Sequence, residues 1–106
     1  MKRGEVWWAH LHGPAGRRPV LLLSRDSMPQ GRGEITVAYC TTTIRRRPVE
    51  VLLTPKDGMP LAGVVNLDSI NTVEKSCLMY RVCTLSPVKM TEVKTALFEA
   101  LDLKGP

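Results

Sequence analysis

Six short strand-like segments followed by one helical segment are the feature that most constrains the fold of this chain. The strand-like segments are apolar or alternating in pattern, and turns rich in glycine and proline separate most of them. We predict strands over residues 5–11, 20–24, 35–40, 48–53, 63–67 and 78–83, with a short helical turn or loop over residues 68–76. Because these segments do not alternate with helices, they favour a small antiparallel barrel over a parallel α/β fold.

The helical segment lies at the carboxyl end. Ser86 is a favourable N-cap, and Pro87 suits the first helical position. The apolar residues that follow recur at helical spacing: Met90, Val93, Leu97 and Leu101. We therefore predict a mainly β fold with α content, in which a small antiparallel barrel carries a carboxy-terminal helix that ends near Leu103.

Length and composition indicate one domain. The chain has 106 residues, 43% hydrophobic and 24% charged, enough for one core and too few for two. We therefore expect a single domain over residues 1–106. No apolar stretch approaches the ~18 residues of a membrane span, and the amino terminus has no signal-peptide pattern. The three cysteines are odd in number and lack C-x-x-C spacing, which indicates core residues in a reducing cytoplasm rather than a disulfide or a zinc site.

Positive charge is concentrated in the first half of the chain. Residues 1–47 have nine Lys and Arg against three Asp and Glu, whereas residues 48–106 have six against seven. A local positive field attracts a polyanion, but charge alone favours nucleic-acid binding no more than a solvated basic surface. Membrane-surface binding is disfavoured, because no basic amphipathic helix is present.

Two strand ends carry the candidate binding residues. Gly16 permits a sharp turn, and Pro19 biases Arg18 toward an extended backbone at the start of a buried strand. Hydroxyl-bearing and then basic residues follow strand 35–40: Thr41, Thr42, Thr43, Arg45, Arg46 and Arg47. Guanidinium and hydroxyl donors at two such ends suit an anionic ligand, a phosphodiester in particular.

Five segments carry a family resemblance, in order and with consistent spacing: RGEVW (3–7), RPVLLLS (18–24), VAYCTT (37–42), VVNLDSI (64–70) and TVEK (72–75). With the ending over residues 85–103, the chain resembles the MazF/PemK (Kid-like) family of toxin endoribonucleases from type II toxin–antitoxin systems. The resemblance spans almost the whole chain.

The resemblance implies an SH3-like, CcdB-like barrel with a carboxy-terminal helix, usually in a homodimer. Such toxins cleave single-stranded RNA at short sequences without a metal or other cofactor, inhibit translation and growth, and are silenced by an acidic antitoxin. The family's arginine and threonine fall on Arg18 and Thr41. RNA and an antitoxin are the implied partners, and no membrane is.

These residue types suit metal-free RNA cleavage, in which the neighbouring 2′-hydroxyl attacks the phosphate. Arg18 would stabilise the phosphate charge, with proton transfer to the leaving group as an open alternative. Thr41 would position the phosphate by a hydrogen bond. Six further residues would hold the RNA backbone or bases: Arg17, Thr42, Thr43, Arg45, Arg46 and Arg47.

The chain departs from the family pattern in its first loop. Only residues 13–17 separate the first strand from Arg18, so the glutamate that many members carry there is missing and the general base is unassigned. We hypothesise that the shorter loop opens the groove to folded RNA such as a tRNA loop.

A pair of histidines is the second departure. His10 and His12 would share one strand face and could act as acid and base. A metal site would need a third ligand, and none is evident. The simpler interpretation, two exposed histidines at the edge of a loop, is favoured. Trp7 and Trp8 could stack on bases, but they point to opposite faces, so one of them is expected in the core.

Two other functions remain open. One is a non-catalytic SH3-like module that binds nucleic acid or protein, and the other is a CcdB-like inhibitor of DNA gyrase. The match at Arg18 and Thr41 favours the ribonuclease, since gyrase binding does not need that pair. The resemblance implies mRNA, or loops of tRNA or rRNA, as the RNA that is cleaved.

Overall fold

The fold is one curled sheet with a single long helix, seen in a computed structural model that describes residues 1–103. Residues 104–106, which the single-domain prediction includes, lie outside the described part. The strands are β1 (Glu5–His10), β2 (Arg17–Leu22), β3 (Glu34–Thr41), β4 (Glu50–Leu53), β5 (Gly63–Glu74) and β6 (Leu78–Thr84), followed by α1 (Pro87–Ala100). Short 3-10 helices occupy Gly13–Ala15, Pro55–Asp57 and Lys75–Cys77.

All six strands form one antiparallel sheet in the order β4-β5-β3-β2-β1-β6. The sheet curls into a half-barrel, so that the connection after β4 packs against β6 at the other end of the strand order. Gly58 permits this contact, because a Cβ atom there would lie 2.6 Å from Cβ of Cys83. The predicted antiparallel barrel with a carboxy-terminal helix is confirmed in this half-barrel form.

Apolar side chains fill both faces of the middle strands, since successive strand residues point to opposite faces. The helix-side cluster joins α1 to the sheet and includes Val6, Leu21, Cys40, Leu53, Met59, Val65, Val93 and Ala96. The opposite cluster contains Ala9, Val20, Leu22, Ile35, Val37 and Leu78. β2 and β3 contribute to both clusters, so their ends are held by a core on each side.

The region after residue 67 differs from the prediction. β5 does not end there but continues to Glu74, and only Lys75–Cys77 forms a helical turn. A register shift divides β5, because Val65 pairs with Cys40 whereas Ile70 pairs with Ala38. This second half of β5 contains many polar residues and lacks a regular apolar alternation, so the sequence pattern does not predict a strand there. Pairing with β3 stabilises it more than burial of apolar side chains does.

Element boundaries also differ from the prediction, most of all at the start of β2 and the end of the helix. β2 begins at Arg17 rather than Val20, because Arg17 and Arg18 pair with β1. The helix begins as predicted, with Oγ of Ser86 accepting a hydrogen bond from the backbone N–H of Lys89 at 3.1 Å, but it ends at Ala100, before the predicted end near Leu103. Within residues 1–103, no helix is long and apolar enough to cross a membrane.

Candidate active site

A cavity of about 280 Å³ at one end of the sheet brings Arg18 and Thr41 together. Arg18 is the second residue of β2, and Thr41 is the last residue of β3. The two strands are antiparallel, and Val20 pairs with Tyr39 close to this end of the sheet. The pairing of β2 with β3 therefore produces the juxtaposition that the two strand ends predict.

Arg18 is held from two sides. Its Nε donates a hydrogen bond to the carbonyl oxygen of Ala15 at 2.7 Å, and its Cζ lies 5.7 Å from the ring centroid of Tyr39, within the range of a cation–π contact. Among residues 1–103, neither terminal nitrogen of the guanidinium has a hydrogen-bond partner. The fork is therefore oriented through Nε and keeps its terminal donors for a ligand.

The Thr41 hydroxyl already accepts one hydrogen bond. Its Oγ1 accepts a hydrogen bond from the backbone N–H of Thr43 at 3.2 Å, which leaves the hydroxyl proton to donate. Gly63 fixes the Thr41 backbone, because a Cβ at Gly63 would overlap the Thr41 carbonyl oxygen. Thr41 thus has a hydroxyl proton to donate, and it lines the same cavity as Arg18.

Cys40 is the one thiol that lines this cavity. Burial raises the pKa of the Cys40 thiol to about 12; the nearby Cys83 thiol raises it further, and the positive charge of Arg18 lowers it by less. At neutral pH the Cys40 sulfur is therefore protonated, which excludes it as a thiolate nucleophile.

The remaining predicted RNA-binding residues divide into two groups. Arg17 and Thr42 line the cavity with Arg18 and Thr41. The others lie outside it, exposed in the connection between β3 and β4: Thr43, Arg45, Arg46 and Arg47.

Glu50 anchors that basic connection. Its Oε1 accepts a hydrogen bond from the backbone N–H of Arg45 at 3.0 Å, and its own N–H donates to the Arg47 carbonyl oxygen at 3.0 Å. These two hydrogen bonds therefore fix the backbone of the connection that carries the three arginines.

The two histidines do not form the arrangement expected of a continuous strand. β1 ends at His10, which pairs with Arg17, whereas His12 is exposed at the start of the first 3-10 helix. Neither ring lines the cavity. Among the described residues, no group of three or more His, Cys, Asp or Glu side chains could hold a metal ion.

The first loop has a structural role that its sequence did not reveal. It forms the 3-10 helix Gly13–Ala15 and closes with a hydrogen bond from the Leu11 N–H to the Gly16 carbonyl oxygen at 2.9 Å. This closed loop presents the Ala15 carbonyl oxygen to Arg18. The short loop therefore supports the guanidinium through this hydrogen bond.

Sequence reasoning missed one wall of the cavity. Met59, Pro60 and Leu61, in the connection between β4 and β5, line it with Trp8 of β1. A proline flanked by apolar residues resembles any turn next to a core, so its pattern carries no functional signal. The exposure of Leu61, at 67%, distinguishes it from a core residue only once the fold is known.

Comparison with known proteins agrees with this fold. Residues 2–101 match the family described as PemK-like, MazF-like toxin of type II toxin–antitoxin system. The chain is 44% identical, over 101 residues, to a Mycobacterium tuberculosis protein named "Probable endoribonuclease MazF5", with 94% of this chain and 92% of that protein covered.

Solved structures give the same result. A mycobacterial endoribonuclease in complex with its cognate antitoxin superposes with a TM-score of 0.87 at 33% identity, covering 100% of this chain and 99% of that one. The Mycobacterium tuberculosis toxin MazF-mt6 has a TM-score of 0.86 at 28% identity, covering 95% and 99%. The chain therefore belongs to the PemK-like, MazF-like family of type II toxin–antitoxin toxins.

Proposed function

We propose that this protein is a toxin endoribonuclease that cleaves single-stranded RNA without a metal ion, at the cavity between the ends of β2 and β3. The observation that carries the proposal is the placement of Arg18 and Thr41 in one cavity, where the terminal guanidinium nitrogens have no hydrogen-bond partner among residues 1–103 and the Thr41 hydroxyl has a proton to donate. Relatives named as endoribonucleases support the reaction class.

The reaction is an internal transfer of the phosphoryl group. The 2′-oxygen attacks the adjacent phosphorus, the bond from phosphorus to the 5′-oxygen breaks, and a 2′,3′-cyclic phosphate and a 5′-hydroxyl are formed. Negative charge on the non-bridging oxygens is met by the terminal nitrogens of Arg18, whose fixed orientation lowers the reorganisation required. The Thr41 hydroxyl donates to the same phosphate and sets its position.

The proton transfers are assigned to water. Of residues 1–103, those that line the cavity include no histidine, aspartate or glutamate, and the Cys40 thiol is held protonated. Arg18 is too weak an acid to give up its own proton efficiently. Solvent water therefore takes the 2′ proton and protonates the departing 5′-oxygen, so the two fixed donors account for most of the catalysis.

RNA outside the cavity is held by the basic first half of the chain. Arg17 and Thr42 contact the nucleotides next to the scissile phosphate, and the exposed run that begins at Arg45 contacts the backbone farther along the strand. The excess of positive charge over residues 1–47 supports this assignment, because phosphate neutralisation dominates RNA affinity.

We further propose that the toxin acts in the cytoplasm as a homodimer and is silenced by an acidic antitoxin. The antitoxin complex of a mycobacterial relative supports the partner, and the charge of residues 1–47 supports its acidity. An acidic tail that folds over the cavity would compete with RNA for Arg18 and the basic connection.

Incubation of RNA with the purified protein in EDTA tests the proposal. We expect cuts at a short sequence, with 2′,3′-cyclic phosphate ends, that disappear with Arg18→Ala and with Thr41→Ala. Lys94→Ala, at an exposed position of α1 outside the basic first half of the chain, is the control that also removes one positive charge, and it retains activity. Cleavage that requires Mg²⁺, or that survives both substitutions, contradicts the proposal.

A further inference from the structure

We propose that three sulfur atoms on the helix side of the sheet, from Cys40, Met59 and Cys83, form a binding site for a soft monovalent metal ion, Cu(I). The site lies beside the cavity that Arg18 lines, but it uses none of the residues assigned to RNA cleavage. Metal binding goes beyond the proposed ribonuclease function, whereas the inhibition that follows from it rests on that function.

Sulfur atoms from distant parts of the chain meet in the helix-side cluster. The Sγ of Cys83, on β6, lies 3.7 Å from the Sδ of Met59, in the connection between β4 and β5. Met59 also lines the cavity together with Cys40, the residue before Thr41 on β3. Cys40 and Met59 are buried, Cys83 is partly buried, and all three belong to this cluster. The curl of the sheet therefore brings three sulfur donors together.

The two cysteines of the cluster are electrostatic neighbours. Burial raises the pKa of the Cys40 thiol most, and the Cys83 thiol raises it further. Because Coulomb interactions weaken with distance, this effect agrees with the packing of both thiols against Met59. Both cysteines are free thiols, and so is the third cysteine, Cys77, which is buried but belongs to neither apolar cluster. Cys77 therefore serves as a matched control.

The donor set selects the ion. Thiolate and thioether sulfurs are soft ligands that favour Cu(I). Structural Zn²⁺ sites take four ligands from Cys, His, Asp and Glu, and within residues 1–103 no group of three or more such side chains could hold a metal. With metal–sulfur bonds of about 2.3 Å, as for zinc, sulfurs in a trigonal plane lie about 4 Å apart, close to the 3.7 Å between Cys83 and Met59.

The connection that carries Met59 also supplies negative charge. Burial raises the pKa of the Cys83 thiol, and the negative charge of Asp57 raises it further, so this charge also attracts a cation to the site. Because Oδ2 of Asp57 accepts a hydrogen bond from the Thr54 N–H at 2.9 Å, we assign Asp57 to the charge of the site rather than to its ligands. Gly58 keeps the connection against β6, since an added Cβ there would lie 2.6 Å from Cβ of Cys83.

Binding is an exchange of ions without electron transfer. One Cu(I) enters, the thiols of Cys40 and Cys83 each release a proton, and the Met59 thioether binds unchanged. Two thiolates and one Cu(I) carry a net charge of −1, where the two thiols carried none. Against the larger effects of burial and Cys83, the positive charge of Arg18 lowers the pKa of Cys40. The same interaction lets the new negative charge weaken the attraction of Arg18 for phosphate, so bound Cu(I) inhibits cleavage.

Competition with a chromophoric Cu(I) chelator, under anaerobic reducing conditions, tests the site. We expect the wild type to retain a single Cu(I) ion. Cys83→Ser and Met59→Leu each remove one sulfur with little change in shape, and each should weaken binding by more than roughly 10- to 100-fold, the range for a lost outer-shell partner. Cys77→Ser should bind like the wild type. The site is overturned if the chelator strips the wild type as readily as Cys83→Ser, or if Cys77→Ser loses as much affinity.

Anaerobic cleavage assays separate this inference from the proposed reaction. Without copper, Cys83→Ser should cleave RNA like the wild type. Stoichiometric Cu(I) should lower kcat/KM of the wild type by roughly 5- to 150-fold, the usual range of coupling between two sites, and leave Cys83→Ser unaffected. Equal inhibition of both proteins refutes inhibition through this site. Retention of Cu(I) without any cleavage refutes the ribonuclease and keeps the metal site, whereas cleavage by a wild type that retains no Cu(I) does the reverse.

Discussion

Arg18 is bonded to the loop that precedes it: its Nε lies 2.7 Å from the carbonyl oxygen of Ala15. Through this contact the short first loop supports the guanidinium. The terminal nitrogens stay unpartnered within residues 1–103, as a phosphate-binding fork requires. Three features of the site can be changed separately: the planar head group of Arg18, the loop that supports it, and the Thr41 hydroxyl that lines the same cavity.

The guanidinium head group is the first of these. Arg18→Lys keeps the positive charge but loses both the Nε bond to Ala15 and the forked donors. We expect kcat to fall roughly 100- to 1,000-fold, as for the loss of one fixed transition-state donor, with little change in thermal stability. Cleavage kinetics and calorimetry measure the two effects. Near-wild-type kcat in Arg18→Lys would show that charge alone suffices.

The Thr41 hydroxyl is tested by an isosteric change. Thr41→Val keeps the shape but removes the donor, and it also removes the acceptor for the Thr43 N–H. A hydrogen bond to a charged group implies a loss in kcat/KM of roughly 10- to 150-fold. Thr41→Ser keeps a hydroxyl and should recover most of the activity. Equal activity of the valine and serine variants would remove Thr41 from the mechanism.

Gly16 controls the loop that supports Arg18. Its φ of 59° and ψ of −143° lie in a region that essentially only glycine adopts. Gly16→Ala should cost about 1–3 kcal/mol of backbone strain, displace the Ala15 carbonyl and lower kcat. Gly31→Ala, where an added Cβ meets nothing within 4 Å, is the control. Unchanged cleavage by Gly16→Ala would show that the loop does not orient Arg18.

The carboxyl group of Glu5 makes the folding stability of the protein depend on pH. Burial raises the pKa of its carboxyl, but hydrogen bonds from Trp7 and Lys2, the amino terminus and Arg81 outweigh burial, and the net pKa lies below its ordinary value. Because the folded-state pKa is the lower one, Glu5 contributes stability above the unfolded-state pKa and loses it as pH falls through the folded-state pKa.

Glu5→Gln should therefore lower the melting temperature at pH 7 and reduce the further loss of stability on acidification below about pH 5. Glu99→Gln, on an exposed site of α1, provides the comparison. Thermal unfolding at a series of pH values measures the effect. Parallel curves for Glu5→Gln and the wild type would refute the assignment.

The Cys40 thiol should be inert in the folded protein. Its pKa, raised to about 12 by burial above all, leaves almost no thiolate at pH 8, so iodoacetamide should modify it only on unfolding. We expect cleavage to be insensitive to alkylation, and mass spectrometry to find Cys40 unmodified. Rapid native labelling of Cys40 with loss of activity would show that the site is more open than the structure indicates.

The local sequence pattern was sufficient to predict the existence of the six strands and the helix, and the two strand ends at Arg18 and Thr41. The apolar run after Pro19 is buried on both sides, and Ser86 and Pro87 start α1 as predicted, because these signals depend on neighbours in the chain. The second half of β5 was missed, because its hydrogen bonds come from β3, distant in sequence. The catalytic roles of Arg18 and Thr41 stay predictions.

Tertiary structure decided which of these residues meet. Antiparallel pairing of β2 with β3 brings the strand ends with Arg18 and Thr41 to one cavity, and the curl of the sheet brings Met59 and Leu61 to the same cavity as Trp8. The sequence determined the chemistry available at each strand end, since a side chain carries its own donors and charge. Long-range strand pairing determined the site, because distances between side chains on separate strands depend on register and curvature, which local sequence does not encode.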